Sequence, residues 1–340
     1  MAARAGVSPT VVSRVLYDKA PGVRVGAATA ERVRQAALDL GYRRNITAST
    51  FRHQQTMMIG VLHGMGFGRP RFNSGPRYFA ALMDGIVDGA FDHGYTLSLC
   101  PQLLGLNPEN AMFDGRFDGL IWYGTFPTGD NLRLLTTCPV PLVLIHTPAK
   151  ALDGRYPSVI CDNHQGIGLA VEHLADLGHK RIAFAIENDD FFYEAKMRLE
   201  SFFQHMTRLG LDASQADVID VRLDRSGIQR YLANGPQHTA VIGSNDGVGA
   251  AFIKHAPEFG LSIPEDLSVI GFDSTGFCLE VRPALTSVSQ PLASMGRNAV
   301  NLLVQSIRGE APEPFDLVIP CGLDIRGSTT FRDRKHYYET

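Results

Sequence analysis

The 340-residue sequence has no apolar run near the roughly 18 to 20 residues that a bilayer-spanning helix needs. Its first residues lack the basic-then-apolar order of a secretory signal, so the expectation is a cytosolic chain with no membrane partner. Cysteine is scarce: Cys100, Cys138, Cys161, Cys278 and Cys321 stand apart, with no C-x-x-C pair and no nearby histidine at metal-ligand spacing. That scatter points to reduced thiols and argues against a zinc site, and no metal or cofactor is expected. A Ser-His-Asp spacing is missing too. Gly64, Gly66 and Gly68 follow an apolar strand and mimic a dinucleotide fingerprint, but position 69 is Arg, Pro70 follows, and no helix starts there. The chain is therefore expected not to be an enzyme.

What is present begins with an uneven charge. The net charge is −3, yet residues 1 to 53 hold nine Lys or Arg against three acids, or +6, leaving −9 to the rest. A basic head on an acidic body fits a head that meets a polyanion; a solvated basic arm is the alternative. Within the head, Ser8 is a good N-cap and Pro9 falls at the first helical position, where a missing N–H costs nothing. The helix that follows runs to about Leu16, with Val12, Val15 and Leu16 on its apolar face and Thr10, Ser13 and Arg14 outward. "YDKAPGVRVGAA" reads as turn material. "TAERVRQAALDLGY" reads as a second helix capped by Thr29, with Val33, Ala36, Ala37 and Leu40 on one face and Gly41 as its stop. Short helices joined by a glycine-containing turn predict a helix-turn-helix. Arg14 suits a bidentate pair with guanine, Thr10 a base edge or thymine methyl, and Ser13 a phosphate.

From Met57 onward short apolar runs alternate with amphipathic stretches. "MIGVLH", "TLSLC", "GLIWY", "PLVLIH", "SVIC", "RIAFAI", "AVIGS" and "SVIGF" read as strands, with helices beginning near Tyr78, Gln165, Tyr193, Gly247 and Leu292. Strand then helix, repeated, predicts parallel sheets with right-handed crossovers. About 275 residues suffice for two such lobes, separated by proline-rich breaks near Pro148, Pro157 and Pro291. Ligands of open parallel sheets lie beyond the carboxyl ends of the strands. The residues there are His63, Trp122, His146, Asp162, Glu187, Asn245 with Asp246, and Asp273. Carboxylates and amides in fixed geometry beside an aromatic face suit a polyhydroxylated ligand such as a sugar. Phe72, Tyr78 and Phe79 are placed to roof such a pocket and Trp122, Phe192 and Tyr193 to wall it, unless they are core, the usual fate of aromatics.

"VSPTVVSRVL", the helix to Tyr42 and "NITASTFR" closely resemble the DNA-binding head and hinge of the LacI/GalR family of bacterial transcriptional regulators. Through "DGLIW", "VEHLADLGHKRIAF", "SNDGVGAAF", "IPEDLSVIGFD" and "PALTSVSQPLASMGRNAVNLL" the rest resembles the family's effector core, itself similar to periplasmic sugar-binding proteins. The resemblance implies an α/β chain: a small all-α helix-turn-helix head at 1–45, a hinge at 46–56, and a two-lobed core of doubly wound parallel sheets at 57–334. Its lobes would be about 57–158 with 289–317, and 159–288 with 318–332. Members usually carry several residues, such as I-K-D-V, ahead of the stretch matched at Met1, so an incomplete first helix is expected. Phe51 matches the hinge position that wedges into the minor groove, flanked by Ala48 and Arg52, and Arg44 replaces a common proline. Packing of the linker on the body is the other reading of Phe51.

The resemblance also implies that Arg198, in "EAKMRLESF", clamps ligand hydroxyls, that Asn245 and Asp273 are polar effector contacts, and that Asp246 and Gln290 lie near the crevice. For Asp246 a helix N-cap is the competing role, and Asp162 reads as structural. His146 stands where some members have an acid. The expected function is a homodimeric operator-binding regulator, a repressor, controlled by a small carbohydrate-like effector. The alternative is a soluble sugar sensor that does not bind operator DNA.

Overall fold

The computed structural model describes residues 1–17, 24–42, 55–63, 78–100, 115–124, 126–187, 193–211, 213–221, 226–313 and 315–332. Contacts divide the chain into two compact units, Met1–Thr56 and Met57–Thr340.

The first unit contains α1 (Ala2–Ala5), α2 (Pro9–Tyr17) and α3 (Ala27–Asp39). Gly6, at φ 64°, turns the chain between α1 and α2 where a Cβ would be strained. Ser8 Oγ then accepts from the Val11 N–H at 3.3 Å, capping the helix that Pro9 opens. Val12, Val15 and Leu16 pack with Val7 against Ala5, Val33 and Ala36, the spacing expected of an amphipathic helix. The start of α3 differs from expectation: its N-cap is Gly26, and Thr29 lies inside the first turn. Ala27 and Ala28 extend the helix backward because alanine is the strongest helix former. Leu40, expected on the buried face, is the exposed C-cap residue. The Gly41 N–H bonds to the Leu38 carbonyl and the Tyr42 N–H to the Ala37 carbonyl, with Gly41 left-handed at φ 60°. That pattern ends the helix and satisfies its last carbonyls.

The second unit starts with β1 (Met58–His63), α4 (Tyr78–Asp92), β2 (Thr96–Cys100), β3 (Gly119–Tyr123), α5 (Gly129–Thr136), β4 (Leu142–Ile145) and β5 (Ser158–Cys161). A second series follows: α6 (Asn163–Asp176), β6 (Ile182–Glu187), α7 (Tyr193–Arg208), β7 (Val218–Val221), α8 (Ser226–Ala233), β8 (Ala240–Gly243), α9 (Asp246–His255), β9 (Ser268–Asp273) and β10 (Thr286–Ser289). The chain then returns through α10 (Leu292–Ile307) and β11 (Asp316–Ile319) before ending its second sheet with β12 (Gly322–Asp324). The sheet orders are β2-β1-β3-β4-β5-β11 and β7-β6-β8-β9-β10-β12. Among the described residues every pairing is parallel except β10 with β12.

Both sheets are apolar on both faces, as parallel sheets covered by helices must be. In the first, Ile59, Val61, Ile121, Tyr123, Val143 and Ile145 share one face while Leu62, Leu120, Trp122, Leu142 and Leu144 share the other. In the second, Phe184, Ile242, Ile270 and Phe272 alternate with Ala185, Val241 and Val269. The chain crosses between sheets at Asp162, at Gln290–Pro291 and at Pro320–Cys321. These points lie slightly beyond the expected lobe edges, because β5 stays in the first sheet until Cys161, which registers with Ile319 of β11. Asp162 has the structural role expected of it: its carboxylate accepts from the Gln165 N–H at 2.8 Å and caps α6. No helix among the described residues is long and apolar enough to cross a membrane.

Candidate functional site

In each sheet the strand order reverses beside the first strand of its series, between β1 and β3 and between β6 and β8. Those reversals open a crevice at the carboxyl ends of the strands, and side chains from both lobes converge there. Arg198, on the second turn of α7, is 5% exposed. Its Nε donates to Asn163 Oδ1 at 2.8 Å and its Nη1 to the Ser244 carbonyl at 2.7 Å. Asp273 Oδ1 lies 3.6 Å from Nη1, and Glu194 Oε2 lies 4.0 Å from Nη2. The guanidinium also sits 3.6 Å above the Phe272 ring. Planar, always charged and forked, this group is held rigidly from several sides, as a clamp for neighbouring oxygens must be.

Asp273 ends β9 with φ 115° and receives Gln290 Nε2 at 2.5 Å. Burial pushes its carboxyl well above the ordinary carboxylate range, Arg198 pulls it back, and nearby Asp246 raises it again. Gln290 keeps its Oε1 buried without a partner. His146, following β4, also has a left-handed backbone at φ 65°. Two non-glycine residues in this region within one crevice mark strain of about 1 to 3 kcal/mol each, the kind that collects at ligand sites. The His146 ring is 4% exposed. Its Nε2 meets the Tyr78 hydroxyl, and its Nδ1 lies 3.5 Å from Glu194 Oε1 across the crevice. Burial lowers the basicity of this imidazole, but Cys161 and Glu194 outweigh it and carry the pKa up to about 9. Burial alone would raise the Glu194 carboxyl; His146, Arg198 and Asn163 hold it below its ordinary value instead.

Two expected contacts, Trp122 and Asn245, hold structural positions. Trp122 is 1% exposed and packs with Phe117, Leu120, Leu134 and Leu142 on the opposite face of the first sheet. Its neighbour Tyr123 faces the crevice end instead, stacked on Phe79 at 5.2 Å between centroids and beside His63 at 4.7 Å. Tyr123 Oη and His63 Nδ1 are buried without partners. Asn245 is the N-cap of α9, its Oδ1 accepting from the Val248 N–H at 2.9 Å. The cap considered for Asp246 thus belongs to Asn245. Asp246 is fully buried and accepts from the Thr275 N–H at 2.8 Å, the Thr275 hydroxyl at 3.1 Å and the Ser287 hydroxyl at 2.5 Å. Phe192 and Phe72 lie outside the described residues. In the first unit, Thr10 is exposed and Ser13 and Arg14 are half-buried on α2. Ala48, Phe51 and Arg52 lie outside the described residues.

The family model of bacterial regulatory proteins, lacI family, matches residues 1–45, and that of a periplasmic binding protein-like domain matches 171–329. The HTH-type transcriptional regulator MalR of Streptomyces coelicolor is 31% identical over 345 residues, spanning 97% of this chain and 95% of that protein. The chain belongs to the LacI family of bacterial regulatory proteins. Catabolite control protein A of Priestia megaterium is 29% identical over 337 residues, covering 97% of this chain and 98% of that protein. A Lac repressor dimer bound to operator and the anti-inducer ONPF superposes with TM-score 0.77 at 26% identity, over 97% of each chain. A complex of the transcriptional regulator CelR with cellobiose gives 0.69 at 26% identity, over 96% of this chain and 98% of that one. These curated relatives are regulators rather than enzymes.

As a LacI-family member, the chain is a DNA-binding transcriptional regulator with an effector-binding core, and its crevice holds residues that the sequence reading did not select. Glu194, Asn163 and Cys161 all touch the Arg198 and His146 set. Glu194 lies one helical turn before Arg198, so an i, i+4 acid-arginine pair was available as a signal. Cys161 and Asn163 flank the Asp162 cap, and nothing local distinguishes them.

Proposed function

We propose that the chain is a homodimeric, cytosolic repressor that reads a two-half-site operator through residues 1–45 with a hinge at 46–56. A small polyhydroxylated effector in the crevice of the core, residues 57–334, controls its affinity for DNA. The carrying observation is Arg198, buried and clamped among Asn163, Ser244, Glu194 and Asp273 where both lobes meet. An effector bound there prefers one lobe arrangement, which is the thermodynamic requirement for control. Solved relatives carrying cellobiose or ONPF support the ligand class. For the homodimer, support comes from Val87, Phe91 and Leu99, which stay exposed on α4 and on edge strand β2.

The test is fluorescence anisotropy on operator fragments selected from the source genome, in a salt series, with a panel of mono- and disaccharides. One or more sugars should shift operator affinity, by about 1 to 3 kcal/mol of coupling. Arg198→Ala should keep operator binding and lose the shift. A variant that still responds with unchanged effector affinity would remove Arg198 from the site. No specific operator binding by the full chain would leave a sugar sensor.

A further inference from the structure

Three side chains in the crevice form a donor set that effector binding alone does not explain. His146 follows β4, Cys161 ends β5 and Glu194 lies on the first turn of α7 in the other lobe. Their ligand atoms all lie within 4.8 Å of one another. His146 Nδ1 is buried with no hydrogen-bond partner. At 3.5 Å from Glu194 Oε1 it is too far for a charge-assisted hydrogen bond, which closes to about 2.7 to 2.9 Å. Nε2 is engaged by the Tyr78 hydroxyl, so Nδ1 is the ring nitrogen that faces the carboxylate and the thiol, and it offers a lone pair once its proton is released. Such a bond from the far ring nitrogen is how proteins orient a metal-binding imidazole. Glu194 is oriented the same way: Oε2 takes the Asn163 amide and faces Arg198, leaving Oε1 toward His146.

An imidazole nitrogen, a thiol sulfur and a carboxylate oxygen are the donor types of zinc, for which Zn–N and Zn–O of about 2.0 to 2.1 Å set tetrahedral ligands about 3.3 Å apart. The nitrogen and the carboxylate oxygen already lie 3.5 Å apart, and the set of three within 4.8 Å would draw together around an ion. Cys161 would bind as thiolate and His146 as neutral imidazole, each releasing a proton to solvent, so that thiolate and carboxylate balance the charge of a divalent ion. We propose that His146, Cys161 and Glu194 bind one zinc-class divalent cation between the lobes, with a fourth position open to water or an effector oxygen. Two ligands come from one lobe and one from the other, so the ion favours the arrangement that brings them together. Its occupancy stands on this geometry alone, whereas an effect on operator affinity rests on the regulatory reading above.

Cobalt(II) reports thiolate ligation directly, because a sulfur-to-cobalt charge-transfer band appears only when a thiolate binds. The reduced full-length protein, freed of metal by chelator and dialysis, should take up one equivalent of cobalt(II) with that band, and zinc(II) should bleach it. Cys161→Ser and His146→Asn should abolish the band, and Glu194→Gln should weaken binding more than tenfold. Cys138→Ser, a half-buried cysteine elsewhere, should leave both unchanged. Absence of the band in the parent protein, its survival in Cys161→Ser, or unchanged affinity in Glu194→Gln would overturn the site. Operator binding by the metal-free protein, measured in parallel, tests the regulatory reading independently.

Discussion

Arg198 and Trp122 show how one residue's role follows from where its backbone points. A guanidinium is a costly group to bury, and Arg198 is buried only because two acceptors, two carboxylates and an aromatic face surround it. Its place in the crevice was readable from the match of "EAKMRLESF" to the family. Trp122 was misplaced by the parity of a strand: successive side chains point to opposite faces, and a one-residue offset exchanges crevice for core. On β3 the partners are Ile121 and Tyr123 on one side and Leu120 and Trp122 on the other. A run with every residue apolar carries no alternation to reveal which face is which. Trp122→Ala should therefore cost about 3 to 5 kcal/mol of stability, as large core truncations do. Chemical denaturation measures the loss, and effector affinity under native conditions should change little. A selective loss of effector binding at unchanged stability would return Trp122 to the crevice wall.

Elements show where sequence pattern was sufficient and where it was not. Strands β1, β2, β3 and β5 have the bounds their apolar runs implied. The unassigned β7, β10, β11 and β12 have only three or four residues each; β10 reads Thr-Ser-Val-Ser and is made a strand by its neighbour β9 rather than by propensity. The pairing of α4 with α10 was equally hidden, since it depends on absent side chains. A Cβ on Gly85 would lie 1.8 Å from the Ala293 carbonyl oxygen, and one on Gly296 2.4 Å from that of Leu82. Both contacts are with backbone, which cannot rotate away. Gly85→Ala should thus force the helices apart and cost at least about 1 to 3 kcal/mol, the range for overpacking, read as a lowered denaturation midpoint. A neutral result would mean that α4 shifts freely on α10.

Another tie acts at the end of the second sheet. His179 is buried between Thr239 Oγ1 at 2.9 Å and the Thr330 carbonyl at 2.9 Å. Burial lowers its pKa more than the Thr330 bond raises it. The unfolded chain then binds the extra proton first, so this contribution is intact above the ordinary histidine value of about 6.5 and declines as pH falls below it. Thermal unfolding should show lower stability at pH 5.5 than at pH 7, with a smaller decline in His179→Gln. Identical declines would assign the acid sensitivity to other groups.

At the scale of the whole molecule, the three crossings decide what the core can transmit. Because α6, α10 and β12 each begin just beyond a crossing, a change in the crevice bears on all three connections at once. The charge split and the helix-turn-helix spacing made a two-part regulator legible, but the exposed apolar face of α4 and β2 was not, since an apolar residue on an amphipathic helix looks the same facing a core or solvent. Phe91 is 84% exposed at the end of α4, with Val87 one turn before it and Leu99 on the adjoining edge strand. If this face joins two chains, burying a charge there is prohibitive, because a carboxylate sheds its water without gaining a partner. Phe91→Glu should yield monomers by sedimentation velocity while the thermal transition of the isolated chain persists. Operator affinity should then drop by about 100-fold or more, since the second head no longer binds at the effective concentration set by the first. A variant that stays dimeric would place the interface on another face; a monomer that keeps full operator affinity would show that a single head is sufficient.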